Sequence, residues 1–469
     1  MINNLNNLKL GFLLVAILSL VSCEKMIAID PPLNETSTAT VYSSDKLAAS
    51  ALSGMYGTLS QSETQSLNFT LYSSLQADDL LYLYTATSLV EMNNNSYSVL
   101  STTQAGVFSD WYSVIYKANA IIDGLQTYSG TSDSIKKEYT AEAKFVRAYC
   151  YFNLVNTFGS IPLVLTTDVT VSAYLPKSNV DSVYNQITKD LLDARDNLKN
   201  DYSFTSGSRV GVNKYVADAL LARIYLFRKD YSNAEFYANE VITSGLYSLT
   251  SSANINNTFV NTSTESIWLL SSYLSATTQY TAEGVAFNPF SISLTYLYYQ
   301  LRPSFVQLYS SNDLRRVNWM KDLTFGGNTY TIPFKYKYRD NASAIAAGVT
   351  ELPVIMRLSE QYLIRAEARA QLGSNLDGAL SDLNMVHSRA GLSTFSSLNQ
   401  KNLIDTIALE NRKEFFCEQA FRWFNLKRTA TADAILGSLK STYTSRSQLL
   451  PIPQAAIDAN PQLTQNPGY

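Results

Sequence analysis

The chain has 469 residues, 46% of them apolar and 16% charged, with a formal net charge of −3. That is enough apolar material for a large core and too little charge for a disordered chain, and the basic excess needed for nucleic-acid binding is missing. One histidine, His387, and three scattered cysteines, Cys23, Cys150 and Cys417, exclude a His/Cys zinc site and leave His387 as the sole base for a Ser-His-Asp or Cys-His enzyme. Tyrosine stands out instead, with 32 copies. It offers both a stacking face and a hydroxyl, so the composition leans toward binding rather than chemistry.

Residues 10–21 form an uncharged apolar run of 12 residues after Lys9. A membrane span needs about 20, so this run fits the core of a secretory signal instead. Leu20-Val21-Ser22-Cys23 follows at once and resembles the lipobox of bacterial lipoproteins. The resemblance implies removal of residues 1–22 and lipid on Cys23, leaving 447 residues (469 − 22). Residues 23–44, with Pro31-Pro32 and many Ser and Thr, read as a flexible tether.

Apolar residues then recur at helical spacing over 45–60, 110–127, 134–157, 180–199, 213–228, 231–243, 357–372, 376–390, 400–417 and 419–428. Alanine recurs among them with a large side chain one turn away, as in Ala219-Leu-Leu-Ala-Arg-Ile-Tyr-Leu-Phe and Tyr362-Leu-Ile-Arg-Ala-Glu-Ala-Arg-Ala. Small residues let helices approach and large ones fill the gap, which is the grammar of tetratricopeptide helix pairs. Arg147 and Arg223 are 76 residues apart (223 − 147), loosely two periods of about 34. An unrelated all-helical bundle is the alternative. Cys150 and Cys417 fall in predicted helices as buried thiols, with a disulfide between them as the other option. Glu418 and Arg422, four apart on a predicted helix, are expected to pair, and Trp423, Phe424 and Leu426 to enter the core.

Helical periodicity fades between 244 and 356. Ser266-Ile-Trp-Leu-Leu reads as a strand, and Gly326-Gly327-Asn328 as a hairpin turn between Leu323-Thr-Phe and Tyr330-Thr-Ile. The expected fold is therefore mostly α: a helical-repeat scaffold with pairs at about 110–243 and 357–428, and a large irregular, partly β insert at 244–356. The prolines at 451, 453, 461 and 467 make residues 446–469 a non-helical strap. Residues 45–469 are expected to form one domain.

Ala141-Glu-Ala-Lys-Phe-Val-Arg-Ala-Tyr-Cys-Tyr-Phe with Phe158-Gly-Ser-Ile-Pro-Leu-Val, the stretch Ala219–Ile242, Glu410-Asn-Arg-Lys-Glu-Phe-Phe-Cys-Glu with Arg422-Trp-Phe-Asn-Leu-Lys-Arg, Leu450-Pro-Ile-Pro and the terminal Asn460–Tyr469 together resemble the SusD/RagB family of nutrient-binding outer-membrane lipoproteins. Ala420-Phe421 stands where the family often has Gly-His, Asn425 where Asp is common, Ala456 where an acidic residue is usual, and Lys177 where Arg is frequent. The resemblance implies a SusD-like fold, an outer-membrane position facing the exterior, no catalysis and no cofactor, with structural calcium left open. It also implies a SusC-like TonB-dependent barrel as partner and a glycan or peptide as cargo.

A pyranose packs one C–H face on an aromatic ring while its hydroxyls seek polar side chains. Two segments supply these groups. Asp78-Asp79-Leu-Leu-Tyr82-Leu-Tyr84, with Tyr97 further on, places Tyr82 and Tyr84 on one face if extended. The opposing reading makes the Asp pair a brace and half-buries the tyrosines. Tyr296, Tyr298, Tyr299 and Arg302, followed by Trp319, form the second candidate group. Asn312-Asp313-Leu-Arg315-Arg316 reads as an internal brace closed by a bidentate Arg–carboxylate pair. His387 reads as packed or surface, and Asp78-Asp79 as a poor glycosidase pair because neighbours on a strand face opposite ways. A glycan-binding lipoprotein is thus favoured over a protein-binding scaffold and over a glycan-cleaving enzyme.

Overall fold

The frame is a row of helices: α1 (Asp45–Gln61), α2 (Thr102–Thr127), α3 (Asp133–Phe158), α4 (Val180–Asn197), α5 (Lys214–Phe227), α6 (Tyr231–Thr243), α7 (Leu358–Leu372), α8 (Leu376–Arg389), α9 (Gln400–Glu414) and α10 (Phe421–Arg428). The computed structural model describes residues 38–61, 67–271, 277–291 and 293–469. The expected signal segment 1–22, Cys23 and most of the tether lie outside them. The end of the expected tether is not free: Tyr42 is buried, and its hydroxyl donates to the Ala120 carbonyl at 2.8 Å.

Every stretch read from periodicity holds a helix, although those read over 400–417 and 419–428 end at Glu414 and begin at Phe421, and side-chain caps fix several starts. Asn179, Asn213, Asp230, Asn375 and Asn399 each accept from a backbone N–H in the first turn of α4, α5, α6, α8 and α9. From α1 to α9 each helix packs on the next. The alanines sit at the crossings as expected: Ala222, Ala234, Ala238 and Ala368 are buried with Leu226 and Ile364 where α5, α6 and α7 meet. Cys150 and Cys417 are buried free thiols.

Helix α6 packs directly on α7, although the whole insert separates them in sequence. The insert therefore leaves and rejoins the frame between two adjacent helices. Its strands are β2 (Ser266–Leu269), β3 (Tyr299–Leu301), β4 (Met320–Phe325), β5 (Asn328–Pro333) and β6 (Val354–Arg357); β1 (Leu80–Tyr82) precedes the insert, between α1 and α2. β2 pairs antiparallel with β6, and β4 with β5 through the two-residue turn Gly326-Gly327. Both glycines have positive φ, 55° and 82°, as a tight hairpin turn demands.

A buried ion network locks the insert to the frame. Arg357 binds Glu265, Glu414 and Glu418; Arg389 binds Glu265 and Glu414; Lys335 binds Glu418. Arg315 holds Asp313 with two 3.0 Å hydrogen bonds, the bidentate brace expected from sequence, and reaches Glu410 at 2.6 Å. Burial alone would raise the Glu414 carboxyl, but Arg389, Arg357 and Arg315 outweigh it and hold it far below the usual carboxylate range. His387 lies at the edge of this network, Nδ1 2.9 Å from Glu410.

The expected Glu418–Arg422 pair does not form. The chain leaves the helix after Glu414, and Cys417, Gln419 and Ala420 adopt positive φ of 50°, 39° and 60°. Glu418 turns to Lys335 and Arg357, and Arg422 turns to Asp78. Trp423, Phe424 and Leu426 are core, as expected. The C-terminal segment lies over the body, with Leu450 N–H donating to Thr157 O at 2.9 Å and the Asn466 amide to Phe158 O and Leu450 O at 2.8 Å, but it is not wholly non-helical: Gln454–Ala459 forms a short helix directly after Pro453, where a proline ahead of the first turn blocks no hydrogen bond.

Candidate functional site

Strand β1 pairs antiparallel with β3, in the register Leu80 to Leu301, Leu81 to Gln300 and Tyr82 to Tyr299. Leu83 N–H donates to Tyr298 O at 2.9 Å, extending the ladder by one residue. This pairing joins the two tyrosine segments that the sequence offered separately. Leu80 and Leu301 are buried and anchor the inner end of the ladder, and Tyr82, Tyr84 and Tyr299 continue their face toward its outer end.

The Tyr84 ring lies 5.0 Å from Tyr298 and 6.4 Å from Tyr82. The Tyr82 ring lies 5.6 Å from Tyr299, which Phe287 supports edge-on at 5.9 Å. The Tyr84 hydroxyl donates to Leu294 O at 2.9 Å and ties down the turn that carries Tyr296. Tyr296 meets the ring of Phe290 at 5.9 Å. Tyr84, Tyr296 and Tyr298 are exposed, Tyr298 by 43%, and Phe290 by 74%. Tyr82 and Tyr299 are half-buried behind them. The result is an open surface of tilted rings.

Three residues expected at the site are not on this surface. Trp319 is 0% exposed. Its ring stands over the ion network, 5.0 Å from Lys335 Nζ, 5.4 Å from the Arg389 guanidinium and 5.7 Å from that of Arg357, and its indole N–H donates to Ile255 O. It shields buried cations with its π face, which is why an aromatic residue sits there. Tyr97 is 7% exposed, with its hydroxyl accepting from Gln76 and Asn95 at 2.9 Å.

Asp78, at 4% exposure, is a brace: Arg422 grips it at 2.7 and 2.9 Å and Arg412 reaches it at 2.8 Å. Burial would raise its carboxyl, but Arg422 and Arg412 hold it below the ordinary aspartate value. Asp79 goes the other way: burial pushes it up to about 6, with Arg412 at 3.2 Å as its partial counter-ion. The two carboxylates share Arg412 and are both enclosed, so neither is placed for acid–base work on a bound sugar.

Arg302 is half-buried where β3 ends, its backbone N–H donating to Asp79 O at 2.8 Å. Strand alternation sets it on the same face as Gln300 and Tyr298. Phe290 and Arg339 at the surface, and the buried Phe287 beneath it, were not read from sequence. The Arg339 guanidinium lies 5.1 Å from the Phe290 ring centroid. The signal for them is weak: a phenylalanine in Asn288-Pro289-Phe290 looks like any loop residue until it is seen to be exposed beside another ring.

A separate cavity of about 680 Å³ lies between α1 and the start of α3 and shares no lining residue with the tyrosine surface. Glu142 projects into its wall and accepts from the Tyr56 hydroxyl at 2.5 Å. Burial pushes the Glu142 carboxyl up to about 8. Among the described residues no group of three or more His, Cys, Asp or Glu is arranged to hold a metal ion, and no helix is long and apolar enough to cross a membrane.

A family model described as "SusD family" matches residues 307–469, and a second, described as "Starch-binding associating with outer membrane", matches residues 31–226. SusD-like protein P38 of Formosa agariphila is 22% identical over 99% of both chains. Among solved structures, surface glycan-binding protein A from Bacteroides uniformis superposes with a TM-score of 0.78 at 21% identity, over 90% of this chain and 99% of that one. A laminarin-binding SusD-like protein superposes at 0.75 and 22% identity, over 90% and 99%. At this level of identity the superpositions establish a shared, mostly helical SusD-like fold.

Proposed function

The chain belongs to the SusD/RagB family of binding proteins, and on that premise we infer that it is a glycan receptor of the outer membrane. It captures an oligo- or polysaccharide outside the cell and passes it to a TonB-dependent barrel of the SusC type. The observation that carries this reading is the β1–β3 ladder, which sets exposed Tyr84 and Tyr298 over half-buried Tyr82 and Tyr299, with exposed Tyr296 on the adjoining turn. Rings of this kind take the C–H faces of successive sugars, and the phenol hydroxyls and Gln300 serve the sugar hydroxyls. An open surface suits the side of a long chain better than the end of a short one, and it leaves the bound chain free to be handed on. Lipid on Cys23 would hold the receptor at the membrane, with residues 24–37 as the lead into the fold. The starch-binding description of the model matching residues 31–226, and the glycan ligands of the structural relatives, support the same ligand class.

Native electrophoresis through gels containing individual polysaccharides tests the reading. Retardation by at least one glycan, lost in a Tyr84→Ala/Tyr298→Ala double variant, is the expected result. Free migration through every polysaccharide overturns it. Co-purification with a barrel from detergent extracts of cells carrying Cys23, and its loss with Cys23→Ala, tests the membrane and partner parts.

A further inference from the structure

Most buried carboxylates in this protein have a cation, and the exceptions are informative. Asp190, Glu265, Asp313, Glu360, Glu410 and Glu414 each meet an arginine. Among the described residues three buried carboxyls have no ion pair: Glu142, Glu283 and Glu351. Glu351 accepts instead from the backbone N–H groups of Lys337 and Tyr338, at 2.8 and 3.3 Å. Glu142 is the one of the three that lines the cavity of about 680 Å³ between α1 and α3. That volume falls within the span of small-molecule sites, about 300–1,000 Å³.

Glu142 is 3% exposed, and only its Oε2 takes a hydrogen bond from a described residue, the Tyr56 hydroxyl. The basic side chain that lines the cavity is already engaged: Lys199 pairs with Glu138 at 3.1 Å and lies over the Phe204 ring at 5.5 Å. Tyr56 and Tyr139 line the cavity with Phe204. Aromatic faces beside an uncompensated carboxylate suit a cation that also carries N–H donors. A neutral hydroxyl would reach the free oxygen and leave the charge unbalanced, whereas an ammonium supplies both the proton donor and the charge.

Burial pushes the Glu142 carboxyl up to about 8; Glu138 adds to the rise, and Tyr56 and Lys199 oppose it. At neutral pH a proton therefore serves as its counter-ion. A bound cation takes that role and releases the proton to the buffer.

We propose that this cavity binds a primary ammonium group on a short carbon chain, with Glu142 as its counter-ion and the aromatic walls packed on its methylenes. The same chemistry is carried by a free alkylamine and by a lysine side chain of a peptide. The proposal stands apart from the reading of the tyrosine surface, and either can fail alone.

Isothermal titration calorimetry of the protein with n-butylamine, Nα-acetyl-lysine methylamide and butan-1-ol, each to about 10 mM, tests it. The first two probes separate a free amine from a peptide side chain, and the alcohol is the neutral isostere. The expected result is binding of at least one ammonium probe and none of the alcohol. About one proton should be released per probe at pH 7, read from the heats in two buffers of different ionisation enthalpy. Affinity should be about tenfold tighter at pH 9 than at pH 7, because the probe stays charged to about pH 10 while Glu142 ionises. Glu142→Gln should weaken binding about tenfold at pH 9 and abolish the proton release, which a purely structural Glu142 would not control. Ser53→Trp, at an exposed lining position on α1, narrows the mouth without changing charge and should also reduce binding. Thermal unfolding of both variants identifies any loss of fold. Equal binding of the alcohol and the amines overturns the proposal, as does no heat from either ammonium probe. Amine binding unchanged in both variants overturns the assignment to this cavity.

Discussion

Arg422 grips Asp78 through two parallel hydrogen bonds of 2.7 and 2.9 Å, although 344 residues separate them in the chain. This clasp ties the start of β1 to α10 and so sets where the tyrosine ladder stands on the frame. Removing one partner strands a buried charge, at a cost of about 3–5 kcal/mol. Asp78→Ala is expected to lower the urea midpoint by a corresponding amount. The clasp holds the Asp78 carboxyl below its unfolded value, so its stabilisation is complete above about pH 4 and fades as pH falls through the folded value. An Asp78→Asn protein should therefore show a shallower loss of stability in acid than the parent; identical acid-unfolding curves would refute this.

Tyr298 and Trp319 make opposite predictions, though the sequence put them together. Tyr298→Ala removes an exposed ring and is expected to weaken glycan retention about three- to tenfold with little change in stability. Trp319→Ala opens a cavity over the ion network and is expected to cost about 3–5 kcal/mol. Binding titrations and denaturation curves on the two variants should give this crossed pattern. A stable Trp319→Ala protein with impaired binding would mean that the ring is not structural.

Ala420 occupies a left-handed backbone conformation, φ 60°, where the family often has glycine. Alanine is strained there and glycine is not. Ala420→Gly is expected to raise stability by about 0.5–1 kcal/mol, read as a higher urea midpoint at constant slope. No gain would show that packing of the buried Ala420 methyl offsets the strain.

Glu142 carries a pH signature of the reverse sign to Asp78. Burial raises its folded value to about 8, above the unfolded 4.5. The folded protein therefore binds the extra proton between those values, and stability falls as pH rises through the window. Glu142→Gln cannot ionise. It is expected to match the parent near pH 4 and to be more stable by about 4 kcal/mol at pH 8. A parent and variant that differ by the same amount at both pH values would exclude an ionising Glu142 as the cause.

The frame was largely legible because its signal is local. Each helix carries its own apolar period and, at α4, α5, α6, α8 and α9, an Asn or Asp at the start. The site was legible only in halves. Tyr82-Leu-Tyr84 and Tyr296–Tyr299 are conspicuous in the chain, but nothing in either segment announces that Tyr82 pairs with Tyr299. Trp319 was misplaced because an aromatic residue in an irregular stretch reads the same whether it covers buried cations or faces water. The Glu418–Arg422 spacing misled for a backbone reason: three positive-φ residues between α9 and α10 break the helix on which that spacing depends.

The direct packing of α6 on α7 brings the two ends of the insert together, so its length matters little to the frame. Loop closure grows only slowly with length, and the segment behaves as an exchangeable cassette. Its freedom has one condition. Glu265, Asp313, Arg315 and Lys335 plug into charges on α8, α9 and the turn after it, and a replacement that dropped any of them would leave a naked ion in the interior. Diversification of what the surface grips is thus steered toward residues outside those four sockets, among them the ring-bearing turn around Tyr296.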